Sequence, residues 1–321
     1  GGNAQEYDGK GASAKIDWDL GAVTLTSITA YESTDGFSRG DIDGGVAGTG
    51  PGFIPFDADT QDSIDDLEQV TQELRIAGEP GGQLTWQAGA YYFDSSVTIT
   101  TVGPFGFPPS TTVQHDNTSW AVFGQASYAL SDALTLTGGV RYTDDEKDFT
   151  VPGAPANNRT VSDDHVSWDI SGMYALNDSI SVYGRIADGF RGPSIQGRDV
   201  AFFAPPSVAQ SETVLSYEAG WKAQFGDTLR LNGAVFTYTV SDIQLTAVGG
   251  AGNTVQLLNA DEGQAYGVEL DAEWAPIDNL VFTGGFAYTD TELKDSNLAV
   301  GICAQCTVTD PIVVISAANR A

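Results

Sequence analysis

Hydrophobic and polar residues alternate along most of the chain, and residues 267–290 show the pattern clearly. In "GVELDAEW" (residues 267–274), apolar residues alternate with glycine and three carboxylates. After a break at "APIDN", the alternation resumes in "LVFTGGFAYTD" (residues 280–290). A period of two predicts β-strands, so this stretch is two strands joined by a tight turn. The three carboxylates indicate that one face of the first strand contacts water, and the apolar side chains of the other face require an apolar environment.

The same pattern recurs and predicts about twelve strands in six hairpins, each strand near the roughly 9–11 residues that cross a tilted barrel wall. Turns within a hairpin are short, whereas the connections between hairpins are long and rich in Gly, Pro and Asp. These long connections are residues 32–68, 94–118, 143–164, 189–215 and 240–264. Compact soluble domains have median connections of about 4–6 residues. Short turns at one end and long loops at the other are typical of outer-membrane barrels.

Aromatic residues mark both ends of the predicted strands. Near the short turns lie Trp18, Trp86, Tyr128, Tyr174, Phe225 and Trp274. Near the long loops lie Tyr31, Tyr92, Trp120, Tyr142, Trp168 and Tyr288. Two such bands fit the interfacial girdles of a membrane barrel. A soluble β-sandwich also has alternating strands, but a dry core would fill the glycine positions of the apolar face. The pattern therefore favours a barrel in which Glu269, Asp271 and Glu273 face a water-filled lumen.

Composition narrows the function classes. The chain has 321 residues, with 43 acidic side chains against 14 Lys and Arg, and a formal net charge of -29. Because phosphate binding requires a basic footprint, this charge argues against a nucleic-acid partner. The sequence has no apolar run long enough for a transmembrane helix, and barrel strands are short and half polar.

The stretch "SVYGRIADGFRGPSIQGRD" (residues 181–199) resembles a signature of TonB-dependent outer-membrane receptors. That signature is a tyrosine strand that ends in a Gly-Phe-Arg-x-Pro-Ser element. The matching residues here are Tyr183, Gly189, Phe190, Arg191, Pro193 and Ser194.

Four further stretches resemble strands of the same family. They are residues 71–94 with "ELR" and "WQAGAYY", residues 138–149 with "GGVRYTDDEKDF", residues 215–225 with "YEAG", and residues 259–276 with "NADEGQAYGVE". The resemblance runs from about residue 15 to residue 291, and it implies an all-β, antiparallel transmembrane barrel in the bacterial outer membrane.

The resemblance also implies parts that this sequence does not show. Family members carry an N-terminal plug domain and a TonB-binding box, and their barrels have about 22 strands. We therefore expect residues 1–321 to be an internal piece of the barrel, about twelve strands of it, with the plug domain absent. With short turns on the periplasmic side, the first strand would start outside the cell and the last would end outside.

Three groups of residues are candidate sites. Arg191 can line the pore mouth and meet an anionic ligand, or it can pair with lumen acids as part of the strand exit; Arg141 and Arg185 are expected to pair with neighbouring carboxylates. Asp57, Asp59, Asp65 and Glu68 lie at EF-hand spacing, which makes a weak calcium-loop candidate, but the glycine of the sixth position is missing.

Cys303 and Cys306, in "CAQC", are the only cysteines. In an extracellular loop of an exported protein they predict a small local disulfide rather than a redox or zinc site. No catalytic spacing and no cofactor motif appears, so neither enzyme activity nor a cofactor is expected.

The resemblance implies an active transporter that imports a scarce, bulky nutrient such as a ferric siderophore. Its partners would be TonB, acting through the plug region, together with outer-membrane lipid and lipopolysaccharide. The alternative is a complete barrel of about twelve strands that acts as a passive porin or a hydrolase. A soluble secreted adhesin is a third and weaker hypothesis.

Overall fold

The computed structural model describes residues 3–41, 59–102, 110–249, 254–301 and 314–316. In these residues the chain forms sixteen strands and three short 3-10 helices. The strands are β1 Ala4–Asp19, β2 Val23–Asp41, β3 Asp59–Gly78, β4 Leu84–Val102, β5 Thr111–Ala129, β6 Leu134–Thr150, β7 Arg159–Asn177, β8 Ile180–Arg191, β9 Ser194–Gln196, β10 Ser207–Ala209, β11 Glu212–Phe225, β12 Leu229–Gly249, β13 Thr254–Ile277, β14 Leu280–Lys294, β15 Ala299–Gly301 and β16 Val314–Ser316. The helices are Pro80–Gly82, Pro155–Asn157 and Arg198–Phe202. None of the described helices has the length and apolar character that crossing a membrane requires.

Twelve of the strands form one antiparallel sheet in the order β1-β2-β3-β4-β5-β6-β7-β8-β11-β12-β13-β14. Each strand pairs with its neighbours along the chain, and only the short β9–β10 hairpin interrupts the sequence between β8 and β11. The predicted count of about twelve strands in six hairpins is thus confirmed.

The sheet is open. Among the described strands, β1 and β14 are its two edges and do not pair with each other. Nearly all of their side chains are exposed. An unpaired edge leaves N–H and C=O groups that need partners, above all within a membrane. The architecture is therefore part of a barrel wall rather than a closed barrel.

The two faces of the sheet differ as the alternation predicted. On the apolar face, Trp221, Gly233, Leu270 and Phe286 lie side by side across four strands. A Cβ on Gly233 would lie 2.2 Å from the Trp221 ring, so glycine is required there for the indole to lie flat across the strand. Of the twelve aromatic residues predicted to mark the strand ends, ten have exposed side chains.

The strands are longer than the predicted 9–11 residues, and this part of the prediction is wrong. The twelve strands of the sheet span 12 to 24 residues, because they continue beyond the aromatic band into the segments expected to be loops. Asp116 still pairs with Asp148, and Asp144 with Asp164, well beyond Trp120 and Tyr142. The backbone hydrogen bonds between two strands can form beside polar side chains as well as beside apolar ones. The polar composition of these segments therefore did not end the strands.

The break at "APIDN" is also shorter than predicted. β13 continues through Pro276 to Ile277, and the register shifts between Trp274 and Ile277. A bulge of this kind accommodates a proline that cannot donate to the ladder. The turn itself is reduced to Asp278 and Asn279, and Asn279 adopts a left-handed backbone with φ of 64°.

Candidate functional site

Residues 192–211 connect β8 to β11 and fold back over the polar face of the sheet; we call this segment the strap. It contains β9, the helix Arg198–Phe202 and β10. Its contacts reach β5, β6 and β7 on one side and β13 on the other. The strap therefore bridges strands on both sides of its own hairpin, at the end of the sheet where the long connections lie.

Amide side chains hold one flank of the strap. The Gln244 amide group donates to the carbonyl oxygens of Gly192 and Gln210, at 2.8 and 3.0 Å, and its Oε1 accepts from Ser194 Oγ at 2.7 Å. The Asn259 side chain forms two hydrogen bonds with the Gln210 backbone: it accepts from the N–H at 2.7 Å and donates to the C=O at 2.9 Å. Because Gln244 and Asn259 lie on β12 and β13, both ends of the strap are fastened to these two strands.

A buried carboxylate adds a further anchor. Asp199 is only 4% exposed. Its carboxylate accepts from the Val255 N–H and lies 3.1 Å from Arg198 Nη1. Beside it, Ser207 Oγ accepts from the Leu257 N–H at 2.9 Å. The charge of Asp199 is thus compensated within the strap, which makes this residue an anchor rather than a free acid.

The other flank packs on a small apolar core. Phe149 is fully buried and clusters with Val113, Val151 and Val200. A Cβ on Gly197 would lie 2.2 Å from the Phe149 ring, so the strap backbone rests directly on this ring. Since Val200 belongs to the strap and the other three residues to β5, β6 and the turn after β6, the cluster joins strap and wall.

A histidine lies at the base of this core. The His115 ring is centred 4.6 Å from the Phe149 ring. Burial lowers the pKa of His115 below its usual value of 6.5, and the charge of Asp116 opposes the shift in part. The neutral imidazole is therefore the form that fits beneath the docked strap.

The Gly-Phe-Arg element forms the root of the strap. Arg191 lies 3.5 Å from Glu212, and its side chain is 61% exposed. Glu212 also accepts from the Gln244 N–H at 2.6 Å, while Pro193 is fully buried. The architectural reading of Arg191 is thus compatible with the geometry, and ligand contact by its exposed guanidinium stays a prediction.

Sequence reasoning missed a neighbouring pair. His165 Nε2 and Asp188 Oδ1 are 2.6 Å apart, and the His165 ring stacks on Phe190 at 5.1 Å. Only Phe190, which belongs to the Gly-Phe-Arg element, pointed to this region; Asp188 lies directly before that element. The histidine joins β7 to the root of the strap.

The polar face carries charged and aromatic side chains below the strap. Arg185 lies 3.6 Å from Asp169, as expected of a wall ion pair. Arg141 instead lies over the rings of Tyr91 and Phe123, each 5.7 Å from the guanidinium carbon, and donates to Thr143. A guanidinium at this distance from an aromatic ring is attracted to it by the cation–π interaction.

The calcium candidates are not brought together. Asp59, Asp65 and Glu68 lie along the extended strand β3, and Asp57 is outside the described residues. At about 3.3 Å per residue, Asp59 and Glu68 are separated by about 30 Å, much too far to share one ion. Asp65 accepts from Thr100 Oγ1 at 3.2 Å, and Glu68 accepts from the Tyr31 hydroxyl at 2.9 Å.

In the described ranges, His, Cys, Asp and Glu side chains form no group of three or more that can hold a metal ion. Cys303 and Cys306 lie outside those ranges, so their disulfide stays a prediction.

Comparison with known proteins gives the family. Residues 1–302 match the model of the TonB-dependent receptor-like β-barrel. The pesticin receptor of Yersinia enterocolitica is 31% identical over 160 residues, which are 48% of this chain and 23% of the receptor. The matched residues thus cover about a quarter of the length of this relative.

Solved structures agree on the fold. The ferric yersiniabactin uptake receptor FyuA of Yersinia pestis superposes with a TM-score of 0.70 at 20% identity, over 90% of this chain and 43% of the receptor. The siderophore receptor PiuA of Acinetobacter baumannii gives 0.71 at 16% identity, over 96% and 50%. In an outer-membrane wall of this kind, the apolar face of the sheet is the side that faces lipid, and the polar face borders the lumen. The chain belongs to the β-barrel family of TonB-dependent receptors.

Proposed function

We propose that this chain forms about half of the wall, and part of the outer mouth, of an active transporter that imports a ferric siderophore across the outer membrane. The observation that carries the proposal is the strap, a folded segment fastened across the lumen side of a wall whose other face is apolar. A passive pore has less need of such a built mouth than a receptor that must first capture a dilute ligand.

The relatives support the ligand class. One of the similar structures is described as a ferric yersiniabactin uptake receptor and another as a siderophore receptor. We extend to this chain only the shared class, an iron chelate. The activity is transport and not catalysis, and no cofactor belongs to it.

In this proposal residues 1–321 are wall and mouth only. The plug that closes the lumen, and the box through which TonB pulls on it, would come from parts of the protein outside these residues. Lipid would contact the apolar face between the aromatic bands, and lipopolysaccharide would contact the strand extensions above them.

Uptake of radiolabelled ferric chelates by iron-starved cells tests the proposal. Deleting the gene that contains this chain should abolish uptake of at least one chelate, and restoring the gene should recover it. Collapse of the proton gradient, or loss of TonB, should stop uptake while surface binding persists. Uptake that continues without energy would instead support the passive porin, and unchanged uptake after the deletion would refute the transport proposal.

A further inference from the structure

The chain has two histidines, and the fold places one of them beneath the strap and the other at its root. His115 lies on β5 and His165 on β7. Histidine is the side chain whose ordinary titration falls near neutral pH. Both such side chains of this chain therefore lie where the strap meets the wall.

His115 belongs to the core on which the strap is docked. Its ring is centred 4.6 Å from the ring of Phe149, which is fully buried, and the Gly197 backbone of the strap rests on that same ring. Val113 of β5 and Val200 of the strap, at 7% and 8% exposure, complete the core. All of these groups belong to this chain, so His115 keeps its apolar surroundings in a complete barrel.

Little charge compensates an imidazolium at this position. Val97 of β4, which pairs with His115, brings no charge. The charged residues of the other surrounding elements are Asp116 beside it, Asp148 on β6, Arg159 on β7, and the paired Arg198 and Asp199 of the strap. Burial lowers the pKa of His115, and the charge of Asp116 opposes this shift without cancelling it. Protonation is thus unfavourable while the strap is docked, and it becomes easier when the strap lifts and water reaches the ring.

The root of the strap responds differently to acid. His165 Nε2 lies 2.6 Å from Asp188 Oδ1, and the His165 ring stacks on Phe190. A neutral imidazole can donate Nε2–H to the carboxylate, and a protonated one keeps that hydrogen bond and adds an ionic attraction. The other charged residues around this contact are Asp163 and Asp164 on β7, Asp144 on β6, and the ion pair of Arg191 and Glu212. Acid therefore leaves the root closed.

The flank on β12 and β13 is fastened by amide side chains. Gln244 donates to the carbonyl oxygens of Gly192 and Gln210, and Asn259 forms two hydrogen bonds with the Gln210 backbone. Amides neither gain nor lose a proton near neutral pH. These hydrogen bonds are therefore the same at neutral pH and in mild acid.

We propose that the strap is an acid-operated lid. When His115 is protonated, the helix Arg198–Phe202 lifts from β5 and β6. The root at His165 and the amides of Gln244 and Asn259 keep the strap fastened to the rest of the wall. The lumen mouth is then more open on the side of β5 and β6 in mild acid than at neutral pH, whichever ligand the receptor imports.

Hydrogen exchange of the full receptor in bilayers, followed from about pH 7.5 to about pH 5, tests the lid. Protection factors are compared, because they correct for the pH dependence of the chemical exchange itself. Protection of the amides of residues 197–201 should fall several-fold over this range. The N–H groups of Gln210 and Leu257, which donate to Asn259 and Ser207 on the opposite flank, should keep their protection.

Two results in the unaltered receptor would overturn the proposal. Constant protection of residues 197–201 would show that acid does not lift the helix. An equal loss of protection on both flanks would show that the strap detaches as a whole and has no hinge.

Two variants assign the acid response to one histidine. His115→Phe keeps a ring against Phe149 but cannot take up a proton, so protection of residues 197–201 should no longer change with pH. The smaller His115→Gln repeats this test if the phenylalanine variant does not fold. His165→Gln is the matched control and should retain the acid response. An unchanged response in the His115 variants, or its loss in His165→Gln, would overturn the proposal.

Discussion

Arginine at position 270 should destabilise the barrel far more than lysine at position 271. On β13, Leu270 lies four residues from Trp274 and four from Tyr266, which are 50% and 54% exposed on the apolar face. Four residues span about 13 Å along a strand, and a tilt of about 40° reduces this to about 10 Å of depth. The Leu270 side chain is therefore near the membrane midplane, where arginine costs about 2–4 kcal/mol.

Asp271 is its matched control, because it is the next residue on the same strand and points to the other face. It pairs with Asn232 and Gly285 and shares a trough with Arg230 and Glu273. Lysine there stays in water, so the change in the free energy of unfolding should be within about 0.5 kcal/mol.

The assay is reversible unfolding of the full receptor in urea, refolded into lipid bilayers, with Leu270→Arg and Asp271→Lys measured side by side. Equal costs for the two variants, or a larger cost at position 271, would refute the assignment of the two faces.

Three further predictions concern the strap and the cysteines. Phe149→Ala should reduce the free energy of strap docking by about 3–5 kcal/mol and speed hydrogen exchange of the strap amides more than about a hundredfold. Phe286→Ala on the apolar face is the control and should leave this exchange unchanged. Unchanged exchange in Phe149→Ala would contradict the core described for the strap. Because the pKa of His115 is lowered in the folded state, docking of the strap should be complete above pH 6.5 and weaken as the pH falls through the lower, folded-state pKa. His115→Gln should remove this acid sensitivity of hydrogen exchange in the strap. If the acid sensitivity persists in that variant, another titratable group causes it. Maleimide should label Cys303 and Cys306 on intact cells only after a reductant, and labelling without one would show free thiols.

The strands and their faces were predictable because the signal is local. Alternation in "GVELDAEW" is visible within one strand and assigns each side chain to a face. Strand ends were less predictable, because beyond Trp120 and Tyr142 most positions on both faces are polar, apart from the buried Val113 and Phe149. The alternation then disappears while the hydrogen-bonded ladder continues, as at Asp116 and Asp148.

The strap was not predictable from the sequence, because its contacts are distant along the chain. Ser194 binds Gln244 fifty residues away, and Gln196 binds the Val255 carbonyl fifty-nine residues away. Polar residues such as Gln244 look like any other loop residue until the sheet brings them to the strap. Resemblance drew attention to Arg191 and not to the contacts that hold the strap.

The central claim is that one face of this sheet contacts lipid and the other contacts water. Spin labels placed singly at residues 267–274, with Cys303 and Cys306 replaced by serine, test it most directly when the receptor is in bilayers. The account predicts that labels at even positions are accessible to oxygen, which concentrates in lipid, and labels at odd positions are accessible to a water-soluble nickel complex. Equal accessibility along β13, or alternation with the opposite phase, would contradict it.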